Sequence, residues 1–168
     1  MENLTTIPQK HFQHFSEANA FKSRVKLIRE LIEVSKRKAE WHIFTSNLLG
    51  GLNPSRDRLD FEVAQRLFEW ICDHVPYRRD IVDVETIKIP EISIKVGADC
   101  DDFVVLSGTM LESVGIPVKI SVSQQMGDGT YDHIFLWLPT CQGIFDPTTS
   151  PQVFPAIQMN YNQMKVIE

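Results

Sequence analysis

Cysteine is scarce in this 168-residue chain: there are three, at positions 72, 100 and 141, and no two make a C-x-x-C pair. That argues against both a disulfide framework and a zinc knuckle, and it leaves at least one thiol free. Positive charge is not in excess either, since 17 Lys+Arg against 22 Asp+Glu give −5. A nucleic-acid-binding domain needs a basic face, so that class of partner is not expected. No apolar run approaches the ~20 residues that span a bilayer, so no membrane partner is expected. The opening MENLTTIPQKHF lacks a charged-then-apolar leader, and the expected location is cytoplasmic.

What is present is ordinary for a globular protein, with 43% hydrophobic and 23% charged residues. The length suits one domain over residues 1–168 with a core of its own. Charge is uneven: residues 1–84 hold 13 Lys/Arg and 12 Asp/Glu, and residues 85–168 hold 4 and 10.

Residues 1–15 are polar and read as a loose arm. His11 and His14 lack a partner ligand nearby, so no metal site is assigned there. Residues 16–50 read as a helical segment with Ser16 as N-cap, running on through Trp41 and Phe44 to Gly50-Gly51. Its basic stretch over 22–38 is interleaved with acids, which predicts a solvated face with i,i+4 pairs; docking of a protein partner is the other reading. After a turn at 53–57 comes a helix from about Asp60 to Val75, in which Cys72 reads as a small core residue and His74 as favoured by the helix C-terminus. The isoleucines at 87, 89, 92 and 94 alternate around Pro90 and predict an extended crossing segment.

That segment delivers the chain to Gly97-Ala98-Asp99-Cys100-Asp101-Asp102-Phe103. Asp99 is the expected N-cap and Asp102 stands where a capping-box acid would. Phe103, Leu106, Met110, Leu111 and Val114 then give an amphipathic helix, ended by Gly115 and Pro117. Gly108 in its middle predicts close approach of another backbone. Cys100 would sit at a helix N-terminus, where free backbone N–H groups and the dipole favour thiolate. The three aspartates oppose that. Capping is the preferred account of them; the other is a divalent-cation site with Asp132 as a further ligand.

Strands are expected at 117–124 and 130–138 around a Gly127-Asp128-Gly129 turn, then a short one carrying Ile144-Phe145-Asp146. Cys141 falls in the 139–143 turn and reads as a free surface thiol. A last strand is expected within 164–167. A hairpin centred between Pro139 and Thr140 sets His133 directly opposite Asp146. A loop longer by two makes them diagonal neighbours on one face, and a loop longer by one separates them onto opposite faces. On a shared face, Asp146 would fix the His133 tautomer and leave the other ring nitrogen for Cys100, the logic of a thiol triad.

Four stretches together resemble the transglutaminase-like (papain-like cysteine protease) superfamily, most of all its small bacterial and bacteriophage members: Gly97-Ala98-Asp99-Cys100-Asp101-Asp102, Gly115-Ile116-Pro117-Val118-Lys119, Asp132-His133 leading an apolar strand, and Ile144-Phe145-Asp146-Pro147-Thr148. The likeness covers roughly 60–149, the expected catalytic core. It implies Cys100 as nucleophile, His133 as general base and acid, and Asp146 as the orienting carboxylate, with an acyl-thioester intermediate. Papain-type enzymes carry a Gln before the nucleophile; this chain has Ile92-Ser93-Ile94-Lys95 there. The Cys100 N–H is then one expected oxyanion donor and Tyr77 the candidate for another.

The expectation is therefore an α+β protein of papain-like, transglutaminase-core type, its helices packed against a small antiparallel sheet. It would act on peptide or protein amides by thiol acyl transfer, as a cysteine peptidase or amidase, with no cofactor and no metal. The rival reading is a catalytically silent module of the same fold within a phage or multiprotein assembly.

Overall fold

The computed structural model describes residues 17–52, 59–80, 86–124, 131–149, 152–156 and 164–167. The expected N-terminal arm, the Ser16 cap, His11 and His14, the 53–57 turn and the 127–129 turn lie outside them. The described helices are α1 (Glu17–Ser35), α2 (Ala39–Leu49), α3 (Asp60–His74), α4 (Pro90–Val96) and α5 (Cys100–Ser113). The strands are β1 (Lys119–Ser123), β2 (His133–Leu138), β3 (Gly143–Phe145) and β4 (Lys165–Val166). They form one antiparallel sheet in the order β3-β2-β1-β4. Among the described residues, no helix is long and apolar enough to cross a membrane.

The organising element is α5. Every residue from Asp101 to Leu111 is buried, because α1, α2, α3, α4 and β2 all pack around it. The amphipathic stripe expected from the sequence is thus only part of its buried surface; a helix enclosed on all sides keeps no polar face. Ile120, Val122, Ile134, Leu136 and Leu138 present one face of the sheet to this core. The other face carries a smaller cluster of Phe135, Ile144 and Ala156.

Gly115 ends α5 at φ 89 as expected, and Ile116 N–H closes the end on Leu111 O at 3.0 Å. Gly108 has a different reason from the one expected. A Cβ there would lie 2.6 Å from Ile32 Cδ1, so the close neighbour is a side chain of α1 and not a backbone.

Two helix readings are corrected. The segment 16–50 does not run as one helix but turns at 36–38, where Lys38 is extended at φ −74, ψ 126. The turn lets Trp41, Thr45 and Leu49 of α2 become buried while α1 follows α5. The crossing segment is not extended throughout, since Pro90 starts α4. A proline at the first helical position has the right φ and lacks only an N–H with no helical acceptor, so it initiates more readily than it breaks.

Four cations of the basic stretch bond within the molecule: Arg24 to Asp101, Arg29 and Lys36 to Glu112, and Lys38 to Glu91. The expected i,i+4 pairs, Lys26–Glu30 and Arg37–Glu33, are the long ones at 3.8 and 3.7 Å. Cys141, expected as a free surface thiol, is a free thiol half-buried against the core. Cys72, read as a core residue, is half-buried against the same core, and His74 bonds Trp70 O and stacks on its ring.

Candidate active site

The lead-in to α5 is fixed before the thiol is reached. Gly97 has φ 96 and ψ 168, a region closed to side chains, and a Cβ there would stand 2.7 Å from Pro76 O. Ala98 N–H donates to Pro76 O at 3.1 Å and Arg78 N–H to Ala98 O at 2.8 Å, which makes a parallel bridge between Tyr77 and Ala98. Asp99 is the N-cap, and a full capping box forms: Asp102 N–H donates to Asp99 and Asp99 N–H to Asp102. Cys100 is the first residue of the helix.

Each of the three aspartates has its charge answered separately. Asp101, 1% exposed, accepts from Arg24 Nε at 3.0 Å and pairs with the guanidinium at 2.9 Å. Asp102, fully buried, accepts from Lys88 N–H at 2.6 Å and Lys88 Nζ at 2.5 Å. Lys88 also holds Asp80 at 3.0 Å, and these two partners overcome the burial that would deprotonate it, so its pKa is raised. Asp99 is pushed up to about 9, first by burial and then by a hydrogen bond with Asp101, so its carboxyl is protonated at neutral pH. Oxygens of Asp80, Asp99 and Asp102 lie within 4.8 Å of one another. The Lys88 ammonium is the cation at that place, and Asp132, suggested as a further ligand, is exposed on the chain entering β2.

On the sheet, His133 Nε2 and Asp146 Oδ2 are 2.5 Å apart, and both residues are buried. Burial pushes the Asp146 carboxyl up, but the hydrogen bond and charge of His133, then Thr148, more than offset it and hold the pKa below the ordinary value. An ionised carboxylate can only accept, so Nε2–H is the donor and Nδ1 is the basic nitrogen of the neutral ring. Oδ1 of Asp146 takes Thr148 Oγ1 at 2.6 Å and Thr148 N–H at 3.0 Å. This turn is why the Asp-Pro-Thr sequence holds the carboxylate still.

Cys100 shares a narrow crevice with Ile134, Phe135, Phe145, Asp146 and Pro147, beside β2 where β3 ends. The helix thus brings the thiol to the part of the sheet that carries Asp146 and its imidazole partner. Ile134, the residue after His133, lines this crevice together with Cys100. Burial pushes the Cys100 thiol up to about 12; Asp101 and Asp99 add to that, while Arg24 and the Ile134 N–H oppose it. The resting group is a thiol. Tyr77, suggested as an oxyanion donor, is 48% exposed and stands two residues before the nucleophile across its bridge to Ala98.

Sequence reasoning missed Arg24, Lys88, Thr148 and the Ile134 N–H. Thr148 could have been found from the Asp-x-Thr pattern of an Asx turn. No local signal links Arg24 to Asp101 across 77 positions.

An α+β domain with a capped helix presenting a thiol, set against an antiparallel sheet with a buried His–Asp pair, defines a class before any comparison is made. The family model of the transglutaminase-like superfamily matches residues 49–152, more than half of the chain, and the chain belongs to that superfamily. No curated protein and no solved structure matches it.

Proposed function

We propose that this protein is a thiol-dependent acyl-transfer enzyme acting on amide bonds, of the cysteine peptidase or amidase kind, with a peptide or protein amide as substrate. Cys100 is the nucleophile, His133 the general base and acid, and Asp146 the orienting carboxylate. The observation that carries this reading is the buried His133–Asp146 pair, its carboxylate anchored by Thr148, at the sheet end that meets the Cys100 helix.

In this reading His133 Nδ1 takes the Cys100 proton as the sulfur bonds to the amide carbon. The same proton passes to the departing amine, the C–N bond breaks and a thioester remains. Water, deprotonated at Nδ1, then attacks the thioester carbon; the C–S bond breaks and the thiol is restored. With a resting thiol at about 12, proton removal accompanies attack instead of preceding it. The Cys100 backbone N–H, at a helix start where the first N–H groups have no helical acceptor, supports the oxyanion.

Iodoacetamide labelling near neutral pH tests this. Cys100 is expected to label ahead of Cys72 and Cys141, and His133→Ala to slow it. Equal labelling of all three, indifferent to His133, favours the second reading, a silent interaction module of this fold. One observation supports that reading: burial pushes the Cys100 thiol up to about 12, away from a resting thiolate.

A further inference from the structure

The first helix lies outside residues 49–152, the region matched by the family, yet it grips both parts of the site. Arg24 holds Asp101, the residue after Cys100, through two nitrogens at 3.0 and 2.9 Å. Three residues earlier on α1, the Phe21 ring stacks on Tyr131 with centroids 6.0 Å apart. Tyr131 lies two residues before His133 on the chain entering β2. Residues three apart share a helix face, so one turn of α1 touches the start of the thiol helix and the entry to the imidazole strand.

We infer that Arg24 is a positioning residue for Cys100, acting through Asp101: it pairs the buried carboxylate of the residue that follows the thiol and, with Phe21, fixes α1 across the two elements that carry the site. This rests on the reading of Cys100 as nucleophile. Asp101 is 1% exposed while Arg24 is 31% exposed, so the guanidinium links a buried charge to solvent. A buried carboxylate left without its counter-ion would set an unanswered negative charge beside the sulfur and disfavour thiolate. The titratable and charged groups around Cys100 are Asp99 and Asp101 of its own helix start, Arg24 from α1, and the His133–Asp146 pair from the sheet, with Lys88 engaged at Asp102. Arg24 favours thiolate and the aspartates oppose it.

The test uses the full chain with Cys72→Ser and Cys141→Ser, so that iodoacetamide reports Cys100 alone. Alkylation rates at about pH 8.5, within the ordinary thiol range, are compared for this parent, Arg24→Gln, Arg24→Lys, Asp101→Asn and the Arg24→Gln/Asp101→Asn pair. Arg24→Gln should slow alkylation about tenfold, the equivalent of about one pKa unit from a neighbouring charge. Arg24→Lys should restore most of the rate, and Asp101→Asn should raise it. With Asp101→Asn in place, Arg24→Gln should slow alkylation much less than in the parent, because the guanidinium has lost the carboxylate that holds it beside the thiol. A purely structural role would slow both backgrounds alike, and that result, or an unchanged rate in Arg24→Gln, overturns the proposal. The paired variant holds no unpaired buried charge, so the comparison survives if Arg24→Gln alone fails to fold. His133→Ala in the same background reports separately on the enzyme reading: indifference to it would sink that reading while the Arg24–Asp101 coupling stayed measurable.

Discussion

His133 and Asp146 meet on a diagonal. Leu136 faces Phe145 and Leu138 faces Gly143, so Asp146 comes level with Phe135 and reaches two residues along β2 to the His133 ring at 2.5 Å. The hairpin loop is two residues longer than direct opposition requires, which keeps both side chains on one face. Asp146→Asn should therefore leave the ring in place but unsettle its tautomer, because an amide can donate as well as accept. Turnover of any amide substrate should fall, and His133→Ala should cost about 10²–10⁴-fold; steady-state kinetics on purified variants measure both.

The same pair sets an acid limit on stability. The Asp146 pKa is lowered in the fold, so its contribution is fully present above the ordinary carboxylate value of 3.8 and lost as pH falls through the folded value. Denaturation midpoints from about pH 5 to 2 should fall less steeply in Asp146→Asn than in the parent. Identical slopes would mean that the carboxylate is not held ionised by His133 and Thr148.

Asp99 has the opposite sign. Its pKa is raised to about 9 from 3.8, so between those values the folded protein holds a proton that the unfolded chain releases, and stability falls as pH rises through that window. Asp102 is raised too, by burial first, and adds in the same direction. Asn caps helices as well as Asp does and carries no titrating proton. Asp99→Asn should thus gain on the parent progressively from about pH 4 to 9 in urea unfolding, with little difference at the acid end.

Gly97→Ala tests how the thiol is presented. The φ 96, ψ 168 conformation belongs to glycine, and the new methyl would meet Pro76 O at 2.7 Å and the Arg78 stem at 2.8 Å. Backbone strain and overpacking each cost about 1–3 kcal/mol, so a loss of about 2–4 kcal/mol is expected in chemical denaturation. Because Ala98 and the Asp99 cap follow directly, the selectivity of Cys100 labelling should fall with it.

How far these features could be read beforehand depended on how local their causes are. The Asp99–Asp102 box, the Gly115 stop and the strand expected at 117–124 follow from neighbours in sequence, and the structure has all three. The polar character of Ser121 and Ser123 gives no hint that both are fully buried. The apolar cluster on the same face as Phe135 draws on Ala156 and Met164, far along the chain. The extended reading around Pro90 misses α4, because the effect of a proline depends on which side of it the helix lies. The answers to the acidic cluster, Arg24 and Lys88, are long-range pairings with no signature in the string.

The contact between Gly108 and Ile32 offers a cleaner test of packing between α1 and the thiol helix. In isolation Gly108→Ala should gain about 0.5–1 kcal/mol from helix propensity. In place, the methyl would sit 2.6 Å from Ile32 Cδ1 and 3.1 Å from Cγ1, and Ile32 is fully buried. Overpacking costs about 1–3 kcal/mol, so a net loss of about 1 kcal/mol is expected. Ile32→Val removes Cδ1 and alone should cost about 0.5–1.5 kcal/mol through the cavity left. Together the added methyl fills the space of the deleted one, and the pair should be about as stable as the parent, a coupling visible in a double-mutant cycle of urea midpoints. Simple additivity would mean that α1 shifts away from α5 to admit the methyl. The Arg24–Asp101 bond, carried on the same helix, would then be expected to loosen as well.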